Sequence, residues 1–360
     1  MQARPPTPRP RARFAYARAM SAALRIDPTD WHVPTLAEVF ALATAYPDGG
    51  PIFLDTKLPD DPDVAARLGA HYLELFVRFP DMRGRAFIAC PDRALLEIMK
   101  EVFAAAPGFA DFRDFALDHE ELSAFALGHD VAAATPLRGA VDNAWLAIGA
   151  PYLPLAVGGF DDLLALVRTT LAQTRAGSGP HAGRRLCVWT IDDDDEMGAV
   201  AELAPDVILT NRPARLTAIL DERFGPRGAD PRRPRAMCPR GGPDGPGVPE
   251  NTLPAIELGL RLGDGLEIDV CAATDGPIVF HDNDPENAIA VLRRSGGGGV
   301  GEFKPVFTDH GRDLANRRLD QLTIAEIQAC YGYARDEKGA VATAITGLGA
   351  IGRLIRDRFD

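Results

Sequence analysis

Residues 265–282, GLEIDVCAATDGPIVFHD, restrict the folds open to this 360-residue chain. Read as a strand, Leu266, Ile268 and Val270 fall on one face and Glu267 and Asp269 on the other, because successive side chains alternate. A second short apolar run, Pro277 to Phe280, ends in His281 and Asp282. Two carboxylates on the inner face of a strand are costly to bury without a partner, and a bound cation is the simplest one. Carboxylate oxygens without thiolates favour a hard ion, so one divalent cation, Mg²⁺ or Ca²⁺, is expected. The alternative for the pair is a solvated strand edge. His281, at a strand tip, reads as a general acid or base, the alternative being a structural histidine.

Strand-like and helix-like runs alternate through most of the chain, which predicts βα units around a parallel sheet. Helices are expected at 35–45, 60–78, 92–105, 160–175, 193–203, 212–223, 251–262 and 323–331. Strands are expected at 51–57, 86–90, 186–191, 206–210, 236–239, 265–270 and 277–281. The stretch 108–160 holds a predicted helix at 119–128 and a strand in VAAAT or YLPLAV. Roughly eight strands suit a closed (β/α)₈ barrel. An open doubly wound sheet would carry a glycine-rich phosphate loop after its first strand, and none stands there. The run SGGGGVG at 295–301 reads as a flexible connection, since no Lys, Ser or Thr signature follows it.

A net charge of −12 argues against a nucleic-acid surface and fits a carboxylate-rich site. No apolar run approaches the roughly 20 residues that span a bilayer. The five cysteines are widely spaced and lack a C-x-x-C pair, the pattern of buried reduced thiols in a cytoplasmic protein. Residues 1–30 are arginine- and proline-rich and read as a disordered basic arm. The Gly, Pro and Arg content of 225–235 reads as a linker.

Asp55 and Lys57 share a strand face in PIFLDTK, so one can ligate a cation while the other neutralises a phosphate. A plain turn role for Asp55 is the alternative. Glu250, in PENT, is either part of a helix entry or a carboxylate that holds Arg240. Asn251 or Thr252 can cap the helix that follows. Trp189 reads as core or as the apolar wall of a small-ligand site.

PRGGPDGPGVPENTLPAIELGLRLGDGLEIDVCAATDGPIVFHD resembles the opening third of glycerophosphodiester phosphodiesterases, which carry H-R-G, P-E-N-T, E-x-D and H-D in series. The later family marks have counterparts in PTLAE (34–38), FLDTK (53–57), VWTIDD (188–193) and LTNRP (209–213). Their order is rotated: the marks that come last in the family come first here. The resemblance therefore implies a circularly permuted (β/α)₈ barrel of the phosphodiesterase type over 31–282. Residues 283–335 would complete it and 336–360 form a tail. Two partial barrels fused in tandem are the competing arrangement.

The resemblance implies metal-dependent hydrolysis of glycerophosphodiesters to glycerol-3-phosphate and an alcohol. Glu267, Asp269 and Asp55 would be the metal ligands, and His281 and Arg240 the catalytic groups. Lys57, Glu250 and Trp189 would contact substrate. The chain departs from the family where Pro239 stands for the H-R-G histidine, Asp55 for the commoner glutamate and Asn211 for a later aspartate. The loss at Pro239 leaves open a second implied reading, a metal- and phosphodiester-binding barrel with impaired catalysis.

Overall fold

The computed structural model describes residues 32–117, 143–149, 160–176, 181–242, 250–284, 303–307 and 317–335. The predicted arm at 1–30, helix 119–128, the VAAAT and YLPLAV segments, the glycine run and the tail lie outside the described residues.

In chain order the elements are α1 (Leu36–Thr44), β1 (Ile52–Lys57), α2 (Pro62–Arg78), β2 (Ala86–Cys90), α3 (Arg93–Ala104), β3 (Phe115–Leu117) and β4 (Trp145–Gly149). Then follow α4 (Phe160–Thr174), β5 (Arg185–Trp189), α5 (Asp194–Leu203), β6 (Val207–Leu209), α6 (Pro213–Phe224) and β7 (Arg235–Met237). The remainder are α7 (Leu253–Leu262), β8 (Leu266–Ala272), β9 (Pro277–Val279), β10 (Phe303–Phe307), α8 (Ile324–Cys330) and β11 (Tyr331–Arg335). Helix starts are set by side-chain caps that accept otherwise orphaned amides: Thr35 with Glu38 in a capping box, Asp61, Asp92, Asp193 and Thr252.

The fold is mixed α/β. One parallel sheet runs β3-β2-β1-β8 and another runs β4-β5-β6-β7. Their edges meet on both sides. A parallel bridge between Cys238 and Leu266 joins β7 to β8. Between β3 and β4 there is no ladder, but the Ala144 amide donates to the Arg113 carbonyl at 2.7 Å. The eight parallel strands thus follow one another around a ring, and β8 fills the place between β7 and β1. This agrees with one barrel-like ring rather than an open sheet.

The inside of the ring is packed, not hollow. Phe53, Phe87, Ala116, Trp145, Cys187, Val207 and Met237 come from seven different strands and form one buried cluster with Ala89, Ala147 and Leu209. Phe53 stacks on Phe87 with centroids 4.8 Å apart, and Phe87 on Trp145 at 4.2 Å. Outside the ring, α1, α2, α3 and α7 bury their apolar stripes against β1, β2 and β8. The other half is covered by α4, α5 and α6.

Three sequence expectations change. The run 277–281 is not a ring strand. As β9 it pairs antiparallel with the end of β8. Only Ala273 to Gly276 separate the two, far too few residues for the crossover that a parallel neighbour requires. The ring is completed instead by β3 and β4, which flank 118–142. Finally, 225–235 is a tied-down loop between α6 and β7. Arg233 is buried in ion pairs with Asp264 and Asp221, and Arg227 also reaches Asp264.

Residues 317–330 pack back on the start of the described chain. Leu319, Leu322 and Ile327 share a buried cluster with Val33, Cys271, Ile278 and Phe280, and the Gln328 amide donates to the Val33 carbonyl. Helix α8 ends before Tyr331, where the predicted helix continued. Its successor β11 pairs antiparallel with β10.

Candidate metal centre

β8 and β1 are neighbours in register, with Glu267 opposite Phe53 and Asp269 opposite Asp55. In parallel strands register partners point to the same face. Phe53 belongs to the interior cluster, so Asp55, Glu267 and Asp269 also face the axis, toward the C-terminal end of the ring. One carboxylate oxygen from each comes within 4.8 Å of the others, and all three residues are buried.

The surroundings are cationic. Lys57 Nζ donates to Asp55 Oδ2 at 2.5 Å and lies 3.6 Å from Asp269 Oδ1. The Arg240 amide donates to Glu267 Oε2 at 2.8 Å. Its guanidinium pairs with Glu250 at 2.9 Å and approaches Asp269 at 3.5 Å. Glu250 is therefore the carboxylate that holds Arg240. His281 Nε2 lies 3.9 Å from Asp269, while its Nδ1 meets Asp282 Oδ1 at 2.8 Å. A carboxylate can only accept, so Asp282 fixes the tautomer with the proton on Nδ1 and leaves Nε2 toward Asp269.

Two oxygens stand apart. Asp55 Oδ1 and Glu267 Oε1 are buried with no hydrogen-bond partner. Buried polar atoms are nearly always satisfied, and orphaned carboxylate oxygens on converging side chains are the donor set of a hard cation. The residues present thus fit a divalent ion.

The electrostatics agree. Burial, then the neighbouring Asp269 and Asp55, pushes the Glu267 carboxyl well above the usual carboxylate range. Asp269 is pushed up by burial too, but His281, Lys57, Arg240 and the Asn251 hydrogen bond together hold it below that range. The trio cannot carry three negative charges comfortably without added positive charge.

Two supporting positions are conformationally strained. Arg240 (φ +53°) and Asn251 (φ +56°) occupy the left-handed region, which costs an L-residue of order 1–3 kcal/mol. In each case the conformation serves a carboxylate. Arg240 turns its amide to Glu267. Asn251 donates to Asp269 Oδ2 at 2.8 Å and accepts from the Asp269 amide at 3.2 Å. Gly241 and Gly242 follow with φ of +86° and +88°, and a Cβ on Gly241 would meet the Ile256 nitrogen at 2.9 Å.

The structure brings Asp55, Lys57, Arg240, Glu250, Glu267, Asp269 and His281 to one place. Trp189 ends β5, with two strands between it and β8 in the ring, and packs on the interior cluster. Asn211 is held by Asp192 through both its amide groups. Sequence reasoning treated Asn251 as a possible helix cap and Asp282 as a mere neighbour. Thr252 is the cap, and Asn251 and Asp282 are positioning residues. The signal available was PENT itself: an amide just before a helix whose cap is already supplied.

No protein-family model matches the chain, and no curated protein matches it. Solved structures do. One is a candidate glycerophosphoryl diester phosphodiesterase from Silicibacter pomeroyi DSS-3, 19% identical over 52% of this chain and 56% of that chain, with a TM-score of 0.35. A second is a glycerophosphodiester phosphodiesterase from Parabacteroides distasonis ATCC 8503, 17% identical over 48% of this chain and 58% of that one, with a TM-score of 0.29. The chain is similar to glycerophosphodiester phosphodiesterases. It spans less than two thirds of the length of either. A candidate fructose-1,6-biphosphate aldolase from Coccidioides immitis is 11% identical over 81% of this chain and 92% of that one, with a TM-score of 0.38. No helix among the described residues is long and apolar enough to cross a membrane.

Proposed function

We propose that this chain is a metal-dependent phosphoric diester hydrolase whose substrates are glycerophosphodiesters, built on a circularly permuted barrel. One observation carries the reading. Asp55, from the opposite end of the sequence, lies in register beside Asp269, and the trio it completes leaves two carboxylate oxygens without a partner. Permutation accounts for that register directly, because the strand that precedes β1 in the family is β8 here.

Asp55, Glu267 and Asp269 would hold one divalent cation, Mg²⁺ or Ca²⁺. Such an ion, when bound, supplies a Lewis acid for the phosphoryl oxygens and a more acidic water. Lys57 and Arg240 offset the charge of the phosphate and orient it between them. Water adds its oxygen to phosphorus as the bond to the alcohol oxygen breaks. His281, held by Asp282 at Nδ1, would take the proton of the attacking water at Nε2 and return it to the departing alkoxide, giving glycerol-3-phosphate and an alcohol. The buried reduced thiols of Cys90, Cys187, Cys238 and Cys271 fit a reducing compartment such as the cytoplasm.

Pro239 favours a second reading. It occupies the position of the family's other histidine, and among the described residues His281 is the one histidine at the trio. Loss of one proton-transfer group costs ~10²–10⁴-fold in rate. The protein would then bind the metal and the phosphodiester with little turnover.

An assay of glycerol-3-phosphate release from a panel of glycerophosphodiesters, with Mg²⁺, with Ca²⁺ and with chelator, separates the two. Release that needs metal and disappears in His281→Ala and Asp55→Asn supports hydrolysis. Saturable binding of the same diesters without release supports the second reading. Absence of both binding and release sinks each.

A further inference from the structure

The end of the ring opposite the carboxylates has its own cavity, of about 1340 Å³, lined by eight arginines and three acids. In a chain of net charge −12, that local reversal of sign requires explanation. Much of it is structural. Arg233 and Arg227 pair with Asp264, and Arg232 with Asp230. Arg85 spends its donors on the carbonyls of Ala43, Tyr46 and Gly50, and Arg175 on those of Leu203 and Ala204. These last two arginines cap helix C-termini, where positive charge is favourable.

Arg185 and Arg235 have no such explanation. Each lies two residues before an interior residue of its own strand, Cys187 and Met237, so the alternation of the strand turns both toward the barrel axis. The bottom layer of a barrel is ordinarily apolar. Arg185 stands over the Trp145 ring, 4.5 Å from its centroid, with Asp114 at 3.9 Å. Asp114 lies at the far limit of an ion pair with Arg185, and its Oδ2 already accepts from the Gly84 amide, so it offsets the arginine only in part. The Arg235 side chain is exposed and has no hydrogen-bond or ion-pair partner among the described residues. Asp206, also in the lining, is occupied by the Leu186 amide. The two strands flank β6, which sets their backbones roughly 10 Å apart across the mouth. Two forked donors at that separation, aimed at one axis, match an anion with more than one charged group.

We propose that this mouth is a second binding site, for a small oligophosphate anion, separate from the carboxylate centre. Its ligand sits between the Arg185 and Arg235 guanidiniums and needs no metal from the opposite face.

Inorganic triphosphate is the probe, titrated into the full chain with chelator present and followed by calorimetry and by tryptophan fluorescence, since Trp145 lies under Arg185. One saturable site tighter than about 1 mM is expected. Arg235→Gln and Arg185→Gln should each weaken it at least ~10-fold, the loss of one charge-assisted pair. Arg235 has no side-chain partner to lose among the described residues, so its substitution should leave the fold intact. Asp55→Asn should leave triphosphate affinity unchanged. The proposal is overturned if triphosphate does not saturate, if Arg235→Gln binds as tightly as the parent, or if Asp55→Asn abolishes binding and so places the anion at the other end.

Discussion

Asp55 and Asp269 are register partners on adjacent parallel strands, so two carboxylates from opposite ends of the chain share one wall of the ring. Like charges placed so closely oppose one another unless a cation intervenes. Their pairing makes the candidate metal site a property of the whole fold rather than of one motif.

Asn251 reports on that property without being a ligand. It holds Asp269 by two hydrogen bonds from a strained backbone position. Asn251→Ala is expected to lower divalent-cation affinity ~10–100-fold, as the loss of an orienting partner does. Asn251→Gly relaxes the left-handed strain but also removes the amide, so it should lose affinity equally while unfolding at a higher temperature than the alanine variant. Calorimetric titration with Mg²⁺ and Ca²⁺, with thermal melts alongside, checks both statements. Unchanged affinity in both variants would refute the positioning role.

Glu267 sets a pH dependence with a definite sign. Burial, then Asp269 and Asp55, raises its carboxyl in the folded chain. Between the ordinary carboxylate range and that raised value, the folded state holds a proton that the unfolded state has lost. Stability of the metal-free protein therefore falls as pH rises through this window. Asp269 acts in the opposite sense and in a lower window, because its folded value is depressed: its contribution is lost as pH falls below the ordinary range. Divalent metal must displace the Glu267 proton. Denaturation at a series of pH values with and without metal should show the upper-window loss only without it. Calorimetry in buffers of different ionisation enthalpy should show proton release on binding, and Glu267→Gln should remove both effects.

The aromatic stack is the keystone of the ring interior. Phe87 lies between Phe53 and Trp145 with essentially no exposure. Phe87→Ala should cost ~3–5 kcal/mol, from lost transfer energy and the cavity left behind. Phe87→Leu, which keeps more of the volume, should cost less. Urea unfolding curves give the comparison, and a loss under 1 kcal/mol for alanine would mean that the interior collapses to refill the site.

Asp264 ties the 225–235 loop to the ring. It accepts from Arg233 and the Ala236 amide and pairs with Arg227. Removing it leaves the buried Arg233 guanidinium with only the half-exposed Asp221 as its ion-pair partner among the described residues and frees the Ala236 amide, so Asp264→Ala should destabilise by ~1–3 kcal/mol. Arg227→Ala, at an exposed side chain, should cost under ~1 kcal/mol. Protease cleavage within 225–235, slow in the parent, should become rapid in Asp264→Ala alone.

The site was more legible than the ring. Glu267, Asp269 and Asp55 announce themselves because acids at alternate positions in apolar strands have few structural uses. The register that unites them was inferable only from the rotated order of motifs. β3 and β4 escaped notice because FAL is three residues long and WLAIG begins with a tryptophan after a polar stretch. Neither carries enough alternation to stand out. Calling 277–281 a ring strand overlooked the short turn after β8, although its length alone dictates antiparallel pairing. The linker reading of 225–235 followed composition, whereas three of its four arginines are ion-pair anchors.

β8 lies between β7 and β1 in space but follows both in synthesis. On the ribosome, β1 is made early and keeps an open hydrogen-bonding edge until residue 272 has emerged. The ring cannot shut before then, and the carboxylate trio cannot assemble before the ring shuts. Nascent chains of this protein therefore carry an unpaired strand edge until β8 is made, the condition under which strands from neighbouring chains add to one another. The strand order that gathers the carboxylates thus leaves the growing chain open to such additions until its last ring strand arrives.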